Sequence, residues 1–528
     1  MRCSRRTVLQ GAAVGAGLLS APWLRHAAFA AQRSPLVSLG SGQLAGYLDQ
    51  GIEVFKGIRY GADTAQHRFM APRPAESWSG IREALQFGPA SLQANAREPA
   101  SEDCLFLNVW TPACDTRQRP VMCYVHGGAY ASGSGSSPLY DGVRLCQRGD
   151  VVVVTLNHRL SVFGYLSLQR LGDASFADSG NAGMLDLVLA LRWVRDHIAA
   201  FGGDPRRVML FGQSGGGAKI ATLLAMPAAH GLLHRAATMS GQQLTASGPL
   251  HATQRAEAFL QALQLPPARL PEIRSIPADR LLAALSTADP FIERSSLYFG
   301  PVLDGRSLSR HPFYPDAPAL SRSVPMIIGH TRDETRTLIG RPEPDSFTLT
   351  WEQLPARLAR HMRVDIAPEI VVREYRAWYP TYSASDVFFA ATTASRSWRA
   401  AVVEAELRAQ QGTPVFAYQL DWPSPLEGGK FGAPHTHDIP LVFDNIASEG
   451  SLTGTGSEAQ QVAEQMSAAF IAFARTGNPN HRGLPQWRPY TLPRRATLVF
   501  DSTTRLVDDP RGKERRLFEQ VPFVQQGT

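Results

Sequence analysis

Val151-Val152-Val153-Val154-Thr155-Leu156 is an unbroken run of apolar or β-branched residues. A strand exposed on one face alternates apolar with polar, so a strand apolar throughout must be covered on both faces. That is the situation inside a parallel sheet sandwiched between helices. Other segments repeat the theme: residues 105–111, 120–125, Arg207–Phe211, Pro325–Gly329 and Val415–Leu420 read as strands. Met184 to Phe201 reads as a long, mostly apolar helix stopped by Gly202-Gly203. Residues 36–60 alternate apolar and polar with glycines (Val37, Leu39, Leu44, Tyr47, Val54, Phe55), as in an antiparallel edge sheet. Strands alternating with helices predict an α/β chain with a mostly parallel central sheet flanked by helices. An active site in such a sheet lies at the carboxyl ends of the strands. Residues 345–410 are helix-rich and are predicted to be an insertion capping that end. No composition break marks a second domain, so residues 31–528 are predicted to form one.

The first thirty residues are set apart. Ser4-Arg5-Arg6-Thr7-Val8-Leu9 is a twin-arginine pattern, an apolar stretch from Gly11 to Leu24 follows, and Ala28-Phe29-Ala30 is an A-x-A cleavage site. The expectation is a signal peptide over 1–30, export by the twin-arginine route, and a periplasmic or secreted product. The stretch is too short for a membrane span, which needs about 20 apolar residues, and the rest of the chain offers none. The formal charge of +7 includes four arginines in residues 1–30, which leaves +3 on the remainder. No basic run suggests a nucleic-acid partner. Cys104, Cys114, Cys123 and Cys146 show no C-x-x-C spacing, and no metal or organic cofactor is implied.

Gly212-Gln213-Ser214-Gly215-Gly216 directly follows the run Val208–Phe211. A G-x-S-x-G sequence at the end of a strand makes a sharp strand-to-helix turn that lifts one serine hydroxyl towards substrate. A serine needs a base, and the base an orienting acid. Downstream acids in a loop after a strand are Asp333 and Glu334. Among His361, His435, His437 and His481, the Gly/Pro loop 432–438 just beyond a strand holds His435 and His437. Upstream, His126-Gly127-Gly128-Ala129-Tyr130 follows a strand and has the H-G-G form of a loop whose backbone N–H groups stabilise an oxyanion.

With these motifs the chain resembles the type-B carboxylesterases of the α/β-hydrolase fold, the family of bacterial para-nitrobenzyl-esterase-like enzymes. Further signposts are Ser101-Glu102-Asp103-Cys104, Asn157-His158-Arg159-Leu160, Asn181–Asp186, Phe201-Gly202-Gly203-Asp204-Pro205 and Phe473–Asn480. The resemblance implies a Ser214, Glu334, His435 triad. It selects Glu334 over Asp333, and His435 over His437 because an H-x-x-D pattern runs to Asp438 before an apolar strand Ile439–Phe443. By the same analogy the oxyanion donors are the N–H groups of Gly128, Ala129 and Gly215, with Gly127 shaping the loop. Arg159 with Asp186, and Arg68 with Glu102, are implied to be bracing ion pairs.

Departures from the family pattern stand out. Gln213 replaces a glutamate, and Gly215 replaces an alanine and is expected to loosen the elbow. Ser91 stands where the family has the cysteine that pairs with Cys104. The tryptophan with which cholinesterases stack a quaternary ammonium would fall near Ala94 and is missing there, which argues against choline esters. The function implied is a serine carboxylic-ester hydrolase working through an acyl-enzyme on small to medium uncharged esters, with Tyr130, Tyr298 and Phe299 as pocket candidates. The alternatives are an amide, carbamate or thioester hydrolase with the same triad, or a binding member of the family. The oligomeric state is not readable.

Overall fold

The structure is a computed structural model that describes residues 34–528 apart from Asn95, Gln526 and Thr528. The predicted signal segment lies outside the described residues. The central sheet has eleven strands. In chain order they are β1 (Tyr47–Asp49), β2 (Ile52–Arg59), β3 (Phe106–Thr111), β4 (Arg119–Val125), β5 (Val152–Leu156), β6 (Gly203–Gln213), β7 (Arg235–Met239), β8 (Met326–Thr331), β9 (Val415–Leu420), β10 (Ala496–Phe500) and β11 (Arg505–Asp508). Across the sheet the order is β11-β10-β9-β8-β7-β6-β4-β5-β3-β2-β1. Pairing is parallel from β5 through β4, β6, β7, β8 and β9 to β10, and antiparallel at both ends.

The middle strands carry apolar residues on both faces because each face has its own core. Val121, Cys123 and Val125 of β4 belong to one core, while Met122 and Tyr124 belong to the other. The alternation repeats in β6, where Val208 and Leu210 face away from Met209 and Phe211. Nine helices are used below: α1 (Ala182–His197), α2 (Gly215–Leu223), α3 (Glu334–Leu338), α4 (Leu354–His361), α5 (Pro368–Trp378), α6 (Ala384–Thr393), α7 (Arg399–Gln410), α8 (Asp438–Phe443) and α9 (Ser457–Thr476). Met184 and Leu187 of α1 pack into the first core, and Val462, Met466 and Phe470 of α9 into the second. The segment from α4 to α7 has a third core of its own, built on Leu354, Leu358, Val371, Tyr375, Val387 and Phe388.

Three findings differ from the sequence reading. Residues 36–45 pair with Ile81–Glu83 in a separate three-stranded sheet, and only residues from 47 onward join the main one. Strands β7, β10 and β11 are absent from the sequence reading, although β10 is the apolar run Ala-Thr-Leu-Val-Phe. The core strand β7 is Arg-Ala-Ala-Thr-Met, whose small residues have little strand preference. Finally, Ile439–Phe443 is not a strand but lies in helix α8. Five apolar residues fit a buried strand or a buried helix equally well, and Pro440 lies in the first turn of the helix, where no N–H is required.

Candidate active site

Strand β6 ends at Gln213 and helix α2 begins at Gly215, so Ser214 is the whole of the turn. Its backbone is held at φ 56°, ψ −127°, a conformation unfavourable for a side chain bearing Cβ. Hydrogen bonds hold it there: Ser214 N–H donates to Met239 O at 2.8 Å, and Ser214 O accepts from Ala218 N–H at 3.1 Å.

The loops after β8 and β9 bring the acid and the histidine together. Glu334 opens α3 and is fully buried. Its Oε1 accepts from Thr331 N–H at 2.8 Å, and its Oε2 meets Nδ1 of His435. Burial alone would raise the Glu334 pKa, but the His435 charge and these hydrogen bonds outweigh it and hold the carboxyl below its ordinary value. Asp333 points elsewhere: its Oδ2 accepts from Ala433 N–H at 3.0 Å, tying down the loop that carries the histidine. His437 is buried with neither ring nitrogen hydrogen-bonded, and burial lowers its pKa to about 3. His361 meets Glu343, and His481 meets Gln465 O. Of the four histidines, only His435 reaches Glu334.

Ser214 and His435 line one cavity of about 240 Å³. Among the described residues the Ser214 hydroxyl makes no hydrogen bond. Gln213 Nε2 sits 3.3 Å from both ring nitrogens of His435. A neutral amide thus occupies the place beside the imidazole where the family pattern puts a carboxylate. Below the imidazole, Asp438 accepts from Tyr418 OH at 2.7 Å, and burial pushes its pKa up to about 7.

The Gly-rich loop follows β4. Gly128 has φ +85°, and a Cβ there would lie 2.3 Å from Ser132 O; only glycine fits. Gly128 O accepts from the N–H groups of Ala131 and Ser132, closing the loop on itself. Among the described residues, the N–H groups of Gly128, Ala129 and Gly215 have no acceptor, and Ala129 and Gly215 line the cavity. Gly127 packs against the elbow, where a Cβ would come 2.8 Å from Gln213 O.

Lys219 escaped the sequence reading. It is the only charged residue in α2, whose residues are all buried. Its Nζ donates to Ala129 O at 2.7 Å and to His126 O at 3.2 Å, so the ammonium grips the Gly-rich loop at two carbonyls. No carboxylate pairs with it among the described residues, and burial lowers its pKa to about 7. The stacked rings of His126 and His158 lie nearby, both held neutral by burial and then by the Lys219 charge. The one detectable signal was a single lysine inside an otherwise small and apolar helix.

Comparison with known proteins fits this geometry. The model of the carboxylesterase family matches residues 33–518.

The chain belongs to the carboxylesterase family.

It is similar to the para-nitrobenzyl esterase of Bacillus subtilis, with 35% identity over 91% of this chain and 98% of the relative. It is 32% identical to the phenmedipham hydrolase of Pseudarthrobacter oxydans over 88% of this chain and 94% of that protein. The crystal structure of a Geobacillus stearothermophilus carboxylesterase superposes with a TM-score of 0.82 at 37% identity, covering 92% of this chain and 99% of that one. The fold of this carboxylesterase is therefore the α/β-hydrolase fold.

The two bracing pairs are present in this carboxylesterase. Arg159 Nε and Nη2 donate to Asp186 at 2.9 and 2.6 Å with both side chains buried, and Arg68 Nε donates to Glu102 at 2.5 Å. Cys104 is free and buried beside Ser91. Tyr130 and Tyr298 line the cavity, whereas Phe299 packs against Phe259. The oxyanion-type loop packs closely on Gly215. A Cβ there would lie 2.2 Å from Ala129 O, so glycine lets the oxyanion loop close onto the elbow. Polar and charged side chains also join the cavity wall: Gln242, Gln243, Arg363 and Arg396.

Proposed function

We propose that this carboxylesterase hydrolyses small to medium carboxylic esters through a Ser214 acyl-enzyme. Ser214 Oγ attacks the ester carbonyl, and its proton passes to Nε2 of His435. Glu334 holds the opposite ring nitrogen and stabilises the imidazolium. Negative charge collects on the carbonyl oxygen, facing the N–H groups of Gly128, Ala129 and Gly215. The tetrahedral intermediate collapses as His435 returns the proton to the leaving alcohol. Water, activated by the same histidine, then frees the acid. The observation that carries this reading is the Glu334–His435 contact at the wall of a cavity that also contains Ser214. Three unsatisfied N–H groups at the same place support it.

The test is hydrolysis of p-nitrophenyl acetate, butyrate and octanoate by the purified protein and by Ser214→Ala. Turnover of the shorter esters that vanishes in the variant is expected, and a cavity of about 240 Å³ disfavours octanoate. A folded protein inert on all three esters turns attention to amides, carbamates or thioesters, which the same triad serves, or to a binding role. We propose in addition that residues 1–30 direct export; the mature protein then begins at Ala31, which N-terminal sequencing checks.

A further inference from the structure

The wall of the cavity facing the nucleophile is built by the helix-rich segment. It contributes Arg363, Arg396, Ser397 and Ala400, and no aspartate or glutamate lines the cavity. Arg396 sits in the π-type turn between α6 and α7, with φ −117° and ψ −111° inside an otherwise helical stretch. Such interruptions concentrate at functional sites, where they re-aim a side chain.

Arg396 combines the lack of a partner with a place on the cavity. Arg357 of the same segment pairs with Glu343, Arg336 of α3 pairs with Asp386, and Arg399, which also has no partner among the described residues, does not line the cavity. Among the described residues the Arg396 guanidinium has neither an ion pair nor a hydrogen bond. Burial lowers its pKa only to about 10, so it stays charged at neutral pH. Arg363 lies close enough for the two cations to repel, which helps to lower its own pKa to about 9. For Arg396, holding a half-buried guanidinium with no counter-ion among the described residues is unfavourable. A planar guanidinium is also the group best shaped to hold a carboxylate through two parallel hydrogen bonds.

We propose that the ester cleaved at Ser214 carries a free carboxylate, held by Arg396 with Arg363 beside it. The substrate class is then the half-ester of a diacid, or an ester of a hydroxy acid, in place of an uncharged ester. This inference rests on the ester-hydrolase reading above.

The test separates the two ideas by measuring binding and turnover independently. Calorimetric binding of 4-acetoxybenzoate and of its neutral isostere 4-acetoxybenzamide is measured on Ser214→Ala protein, with and without Arg396→Gln. Tighter binding of the anion by roughly tenfold is expected, about the worth of one charge-assisted hydrogen bond. That preference is expected to collapse with Arg396→Gln and to survive in part with Arg396→Lys. On otherwise unmodified protein, the ratio of kcat/KM for the two esters should fall in parallel. Equal binding of anion and amide, or a preference untouched by Arg396→Gln, overturns the inference even if p-nitrophenyl esters are cleaved. An anion preference in a protein that cleaves no ester upholds the anion site and defeats the esterase reading instead.

Discussion

Arg159 is a buried arginine and Arg396 a partly buried one, and their surroundings differ in a way that separates two parts of the molecule. Arg159 lies beneath the sheet ends and gives its guanidinium to Asp186. Arg396 lies in the helical wall across the cavity and has no partner among the described residues. Around the catalytic end of the sheet, the buried charged groups are matched: Glu334 to His435 and Thr331, and Lys219 to two carbonyls. A matched group holds geometry. An unmatched group beside a cavity is set for a ligand. The sheet side therefore fixes the chemistry, and the helical side selects what enters.

The contrast is most directly broken at the nucleophile. Ser214→Ala is expected to lower kcat for every ester by about 10⁴-fold or more, and Glu334→Gln by roughly 10³- to 10⁴-fold, with the ratio between anionic and neutral esters unchanged. Steady-state kinetics on paired substrates checks both; a shifted ratio would mean that the sheet side also selects. Next in size is Asp186→Ala, which strands Arg159 as an unpaired buried cation. About 3–5 kcal/mol of stability should be lost, read from urea unfolding midpoints. Truncating Arg396, already unpaired, should leave the midpoint nearly unmoved.

Gly215→Ala is expected to lower kcat about a hundredfold, near the worth of one oxyanion donor. The added methyl meets Ala129 O and displaces the loop, while KM should change little. The smallest effect concerns pH. Lys219 has a pKa of about 7 when folded and an ordinary value of 10.5. Between these values the unfolded chain binds more protons, so stability rises with pH through that window, and below pH 7 the penalty of burying the ammonium is constant. The slope is at most about 1.4 kcal/mol per pH unit. Urea midpoints at pH 7 and 9 should show that rise in the wild type and lose it in Lys219→Met.

The sequence is most legible where a local pattern and its physical cause coincide. Val152–Leu156 reads as a strand because both faces are covered. Ser214 reads as a nucleophile because its turn needs small neighbours, and the family resemblance then orders Glu334 and His435 behind it. What escapes reading depends on distant contacts. Whether Ile439–Phe443 is helix or strand is settled by neighbours on α9 and the sheet, not by five apolar letters. Lys219 looks like any helical lysine until the fold lays the oxyanion loop over it. Arg396 is one arginine among several in residues 345–410, and nothing in the spacing marks it as one that faces the cavity without a partner.

The contact between Gly215, Ala129 and Lys219 also constrains how this sequence can change. The Ala129 carbonyl lies where a methyl on residue 215 would go, and the lysine holds it there. The Ala129 Cα and carbonyl carbon lie almost as close, at 2.5 and 2.6 Å, so turning the carbonyl aside is not enough and the backbone of the loop itself must move. Residues 129, 215 and 219 are therefore coupled, and a library that varies the elbow should vary all three together.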